Sequence, residues 1–164
     1  MKVHCTYDEL KLITELKFHP DNANVHPAEQ IERLASILEY QGFRTPIIIS
    51  KRSGYVVAGH GRILAASMNG WEAVPVNYQI FNTVDEEIAH LHADNAIAAW
   101  ADLSLAKVNI TLEQLGPDFD FNNLGLKNFN LDPAIIEDEE QAEKKDKKEK
   151  WISCPNCHER FKEE

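Results

Sequence analysis

Gly59-His60-Gly61-Arg62 stands where an apolar run, Tyr55-Val-Val-Ala58, gives way to Ile63-Leu-Ala-Ala-Ser-Met68. The first run has the β-branched, uncharged character of a buried strand's end, and the second reads as a helix. In that helix Leu64 and Met68 share one face, with Ala65 and Ala66 beside it. Gly59 and Gly61 remove Cβ atoms where the chain turns sharply, so backbone N–H groups can face a ligand. A helix N-terminus after a strand suits an anion, and Arg62 in its first turn adds a charged fork. His60, in the same turn, is placed to donate to an oxyanion. The plainer alternative is a tight strand-to-helix turn with a solvated arginine.

Cys154-Pro-Asn-Cys157 offers a second chemistry, two thiolates spaced as in half of a zinc ribbon. A closed Zn²⁺ site needs four ligands. His158 is awkwardly adjacent to Cys157, Cys5 is far along the chain, and two chains giving two cysteines each would make a homodimer. A redox CxxC fits less well, because this one follows a charged linker and not a βαβ strand. An unmetallated tail is the remaining option. Among the histidines, His90 and Asp94 share a helix face at i,i+4 but lack a third ligand. His19, His26, His90 and His92 therefore read as surface residues.

These groups need elements to position them. Residues 10–19 form a weak strand or turn of mixed pattern. Pro27 and Glu29 favour the start of a helix, AEQIERLASILEYQ, which Gly42 ends. Its core side is expected to hold Ile31, Leu34 and Leu38, flanked by Ile37. Pro46-Ile-Ile-Ile-Ser50 is a short strand, Ser53-Gly54 a turn, and Tyr55–Ala58 the returning strand. Val74–Ile80 is a further strand. Thr83 and Glu86 have capping-box spacing before a helix that runs to about Trp100. Another helix spans about 105–115, opened by Ser104 and closed by Gly116-Pro117. The order β-α-β-β-α-β-α-α predicts a small mixed-sheet α/β domain over 1–103. A helical extension and hydrophobic arm (104–136) follow, then a charged linker (137–150) and the CxxC tail (151–164). The arm is expected against its own domain, with a partner surface as the alternative.

The chain has 164 residues, 43% of them hydrophobic, with a formal charge of −10. Residues 1–136 alone hold ten Lys/Arg against seventeen Asp/Glu, a balance of −7. Bulk electrostatics therefore oppose nucleic-acid binding, and DNA contact is expected to be weak or through a partner protein. There is no apolar run of bilayer length and no secretory leader pattern. Three cysteines, two of them in one CxxC, suggest a reducing, cytoplasmic setting.

Four stretches, taken in order, resemble the N-terminal domain of the ParB/sulfiredoxin superfamily: LKFHPDNANVH, IERLASILEYQGFRTPIIIS, YVVAGHGRILAASMNGWEAVPV and HADNAIAAW. They are most similar to ParB-like domains of phages and mobile elements, often fused or adjacent to DNA methyltransferases. The resemblance spans about Leu16 to Trp100. It implies that Gly59, His60, Gly61 and Arg62 hold nucleotide phosphates. It further implies that Asp94 and Asn95 help hold Mg²⁺ or those phosphates, and that Thr45 and Pro46 line the base or ribose side. A carboxylate and an amide oxygen suit Mg²⁺, which keeps several waters and takes phosphate oxygens. The implied function is binding of a nucleotide, CTP or ATP, in phage or mobile-element DNA transactions, with Mg²⁺-dependent hydrolysis or phosphotransfer as its enzymatic form. The alternative is a non-catalytic adaptor beside a methyltransferase or other DNA enzyme. His60 stands where sulfiredoxins need a cysteine, so sulfinic acid reduction is not expected. AIAAW lacks the partitioning proteins' second arginine, and Asn24 replaces another. Residues 104–136 are short for a helix-turn-helix unit, and no dense carboxylate cluster supports a nuclease.

Overall fold

A computed structural model describes residues 1–101, 103–112, 114–116, 118–126, 151–153 and 160–162. Its contacts divide the chain into two compact units, residues 1–102 with 119–127, and residues 103–118 with 128–164.

The first unit is built on a five-stranded mixed sheet. Its strands are β1 (Glu9–Leu12), β2 (Lys17–Phe18), β3 (Ile47–Ser50), β4 (Tyr55–Ala58) and β5 (Ala73–Gln79), in the order β1-β5-β3-β4-β2. β1 runs antiparallel to β5 and β3 antiparallel to β4, while β5–β3 and β4–β2 are parallel. The weak strand expected over residues 10–19 is thus two short edge strands joined by a 3-10 turn, Ile13–Glu15. Three helices complete the unit's regular core: α1 (Ala28–Gln41), α2 (His60–Met68) and α3 (Val84–Ala96).

The central strands are buried on both faces, as their uninterrupted apolar sequences require. Ile47, Ile49, Val56, Val74 and Val76 join Ile31, Ala35 and Leu38 of α1 and Ile63, Ala65 and Ala66 of α2 in the main core. Ile48, Val57 and Ala58 meet Phe81 in a second, smaller cluster. α3 packs against β4. α1 has the expected bounds, and Gly42, at φ +72°, donates its N–H to the Leu38 carbonyl at 2.8 Å to end it. Leu34 and Ile37 are only half-buried. On α2, Leu64 and Met68 share the outer face and are 39% and 53% exposed. The small residues Ala65 and Ala66 face inward because α2 is wedged against both α1 and the sheet.

α3 begins as its capping residue dictates, with Glu86 N–H donating to Thr83 Oγ1 at 3.1 Å. The Glu86 carboxylate reaches one residue further back than a capping box requires and accepts from Asn82 N–H at 2.7 Å. The helix stops at Ala96 and passes into a 3-10 turn, Ile97–Trp100, so the expected long helix tightens in its last turn.

Residues 119–126 return to α1. Arg33 donates to Asn122 Oδ1 and the Leu126 carbonyl, each at 3.3 Å, and Ser36 donates to Asn123 Oδ1 at 3.3 Å. The Tyr40 ring meets Phe119 edge-on at 5.9 Å. A cavity of about 530 Å³ remains between this arm and α1, lined by Pro27, Gln30, Arg33, Leu34, Ile37 and Gly125 among others.

The described part of the second unit comprises α4 (Leu105–Leu112) and a hairpin of β6 (Trp151–Ser153) with β7 (Arg160–Lys162). α4 starts after Ser104, whose hydroxyl accepts from Lys107 N–H at 3.4 Å, and it is shorter than the expected 105–115. Ser153 pairs with Arg160. Cys154 and Cys157 lie outside the described residues.

Candidate functional site

The β3–β4 hairpin explains how distant residues become neighbours. Its strands are antiparallel, with Ile48 opposite Ala58, so the start of β3 lies beside the end of β4. Thr45 and Pro46 therefore flank the turn that leads into α2. At that turn Gly59 adopts φ +99°, and a Cβ there would stand 2.7 Å from Ile47 Cδ1 and 3.1 Å from Arg62 Nη2. Only glycine accepts both the left-handed backbone and that contact. α2 then begins at His60, three residues before the expected Ile63, so the whole His-Gly-Arg segment is its first turn. The N–H groups of a helix's first turn have no intrahelical partner.

Arg62 folds back across this junction. Its Nη1 donates to the Thr45 carbonyl at 2.5 Å and the Pro46 carbonyl at 2.9 Å. Among the described residues no partner engages Nη2 or Nε, so these N–H donors remain for a ligand. Burial lowers the Arg62 pKa from its ordinary value, while Asp94 and then Cys5 oppose that shift. Asp94 of α3 is exposed, and its carboxylate lies within electrostatic reach of the guanidinium. Asn95 turns its amide nitrogen onto its own helix, donating to the Leu91 carbonyl at 2.9 Å.

Gly61 is buried beneath α1, where an added Cβ would meet His26 Cε1 at 3.2 Å and Leu34 Cδ2 at 3.5 Å. Its missing side chain therefore serves helix packing. The His60 ring, expected as an oxyanion donor, is turned inward and is 7% exposed. The arrangement thus brings together Thr45, Pro46, Gly59 and Arg62, with Asp94 nearby.

A buried polar cluster lies behind the site. Glu87 of α3 is 2% exposed and accepts from Ser50 Oγ at 2.7 Å and Ser53 Oγ at 2.5 Å. His19, expected at the surface, is 8% exposed and faces Glu87 Oε1 through Nε2 at 3.5 Å. Its Nδ1 accepts from Asp21 N–H at 3.1 Å, which leaves the ring proton on Nε2, toward Glu87. Burial pushes the Glu87 pKa upward, but Ser50, Ser53, His19 and Arg52 together hold it below the ordinary value. One signal was available in the sequence: Glu87 lies four residues before Leu91, on the buried stripe of its helix. Among the described residues no three His, Cys, Asp or Glu side chains converge as metal ligands. Asp94 fits Mg²⁺ only as one oxygen ligand of an ion otherwise held by phosphates and water.

The comparisons agree with this architecture, although no family model matches the chain. It is 34% identical over 73 residues to the ParB-like nuclease domain-containing protein YnaK of Escherichia coli, covering 42% of this chain and 83% of that protein. It is 32% identical over 75 residues to the nucleoid occlusion protein of Halalkalibacterium halodurans, covering 44% of this chain but 26% of that protein. Among solved structures, the C-terminally truncated partitioning protein ParB of Caulobacter crescentus, complexed with CTP-gamma-S, superposes with a TM-score of 0.52 at 22% identity. That match covers 64% of this chain and 60% of that one. The fold is that of ParB N-terminal domains. The chain belongs to the ParB-like nuclease domain family.

Proposed function

We propose that this protein binds a nucleoside triphosphate at the first turn of α2, with CTP the first candidate. The observation that carries this reading is Arg62 spanning the start of β3 and the α2 turn, in the field of Asp94. Unpartnered helix N–H groups and an arginine fork suit phosphate, and Thr45 and Pro46 border the base or ribose side. The likeness of fold to a ParB complexed with CTP-gamma-S supports the choice of nucleotide. Asp94 would hold Mg²⁺, which would neutralise charge on the phosphate oxygens, and Asn95 would support it from the same helix. Gly59 gives the turn its shape, and His60 and Gly61 present main-chain donors.

The module serves DNA transactions of phage or mobile-element type in the cytoplasm, where hydrolysis or phosphotransfer is its enzymatic form. Its acidic charge favours DNA contact through a protein partner. Cys154 and Cys157 hold Zn²⁺, shared between two chains or completed locally.

Calorimetric titration with CTP, ATP, GTP and UTP, with and without Mg²⁺, tests the reading. At least one triphosphate should bind. Arg62→Ala should weaken it by about ten-fold or more, the scale of one charge-assisted bond. Asp94→Ala should weaken it only when Mg²⁺ is present. Binding of none of the four, or an unchanged affinity in a folded Arg62→Ala variant, overturns the proposal.

A further inference from the structure

His60 opens α2, yet its side chain is almost wholly buried and its Nε2 has no hydrogen-bond partner among the described residues. Each element around it is identifiable. β2 supplies the Phe18 ring, 5.5 Å away, and β4 the backbone of Val56, to which the ring hydrogen-bonds. The connection from β2 to α1 supplies a histidine at each end. His26 rests over Gly61 and lies 3.0 Å from Gln30 Oε1 through Nδ1, while His19 is fixed by Asp21 N–H and faces Glu87. Both act electrostatically on His60, and Arg62 follows on its own helix. The nearby carboxylates, Glu87 and Asp21, lie against His19 and leave His60 without a counter-charge of its own.

We propose that His60 is a proton-operated latch between residues 19–27 and the first turn of α2. The neutral ring lets the connection close over that turn, and the charged ring drives it off. A proton added at Nε2 meets no acceptor and sits at the positive end of a helix. It also faces the imidazoles of His26 and His19, which act electrostatically against its charge. An unpaired buried cation is costly, and opening toward water relieves it. Burial, followed by His26 and His19, lowers the His60 pKa from its ordinary 6.5. The closed form is therefore fully favoured above about 6.5 and is lost as pH falls from there through the folded value. This device does not depend on the nucleotide reading.

Hydrogen exchange of the full chain between pH 7.5 and 5, corrected for intrinsic rates, tests it on peptides covering 19–27 and 59–64. Protection there should fall by up to about ten-fold per pH unit in the acid range, and that fall should be absent in His60→Gln. A pH-independent parent protein, or the same loss in the variant, overturns the proposal. Should His60→Gln not fold, proton resonances of the parent protein decide. Titration of His60 below the usual histidine range together with the amides of 19–27 supports the latch, and titration without them overturns it.

Discussion

Glu87 concentrates more hydrogen-bonding demand than any other described carboxylate in the first unit. Two serine hydroxyls donate to it from the end of β3 and the following turn, and His19 approaches from the other side. Replacing it with alanine takes the acceptor away from these donors, so Glu87→Ala should cost roughly 1–3 kcal/mol. Urea unfolding measures that loss directly. The pH dependence carries the same signature. The folded Glu87 pKa is depressed, so its contribution is complete above the unfolded value near 4.5 and lost as pH falls through the folded value. The parent protein should therefore lose stability steeply below about pH 4.5, and Glu87→Gln should show a shallower acid limb. Identical acid limbs would show that Glu87 is not responsible. This cluster escaped the sequence because its partners are 37 and 34 residues away, beyond any local pattern.

At the scale of elements, the turn between β4 and α2 depends on one backbone conformation. Gly59→Ala should cost roughly 2–5 kcal/mol, combining left-handed strain with overpacking against Ile47. Thermal melting reads this cost, and a melting temperature equal to the parent's would contradict the role given to Gly59. α1 was legible to the residue because Pro27 and Gly42 mark its ends locally. α3 was legible at its start, where Thr83 caps it, but not at its end, where only the geometry shows the 3-10 turn. β1 and β2 were nearly invisible. Leu10 and Leu12 are exposed on an edge strand, so the usual alternation fails, and pairing with β5 and β4 supplies their register from elsewhere in the chain. The sharp turn from strand to helix was recognisable from Gly59 and Gly61. The inward path of the His60 ring was not, because it follows from packing by Phe18 and the β2–α1 connection.

For the whole molecule, the segment of residues 137–150 contains almost only charged and polar residues, which makes the tail separable in chemistry from the site at α2. Purified protein should carry about half a zinc per chain if two chains share the CxxC site, or about one if local ligands complete it. Cys154→Ser with Cys157→Ser should release the metal and leave triphosphate affinity unchanged. Elemental analysis finding no zinc in protein purified without chelators would remove this site. The arm on α1 has a different consequence. The first unit is discontinuous in the chain: it leaves at residue 102 and resumes at 119, and the resumed piece is fastened to α1 through Arg33, Ser36 and Tyr40. Residues 103–118 are thereby a loop that carries α4 and whose two ends continue into the first unit. Lengthening such a loop costs only about 0.6 kcal/mol per doubling. Sequence inserted there should therefore leave the sheet and the α2 turn in place.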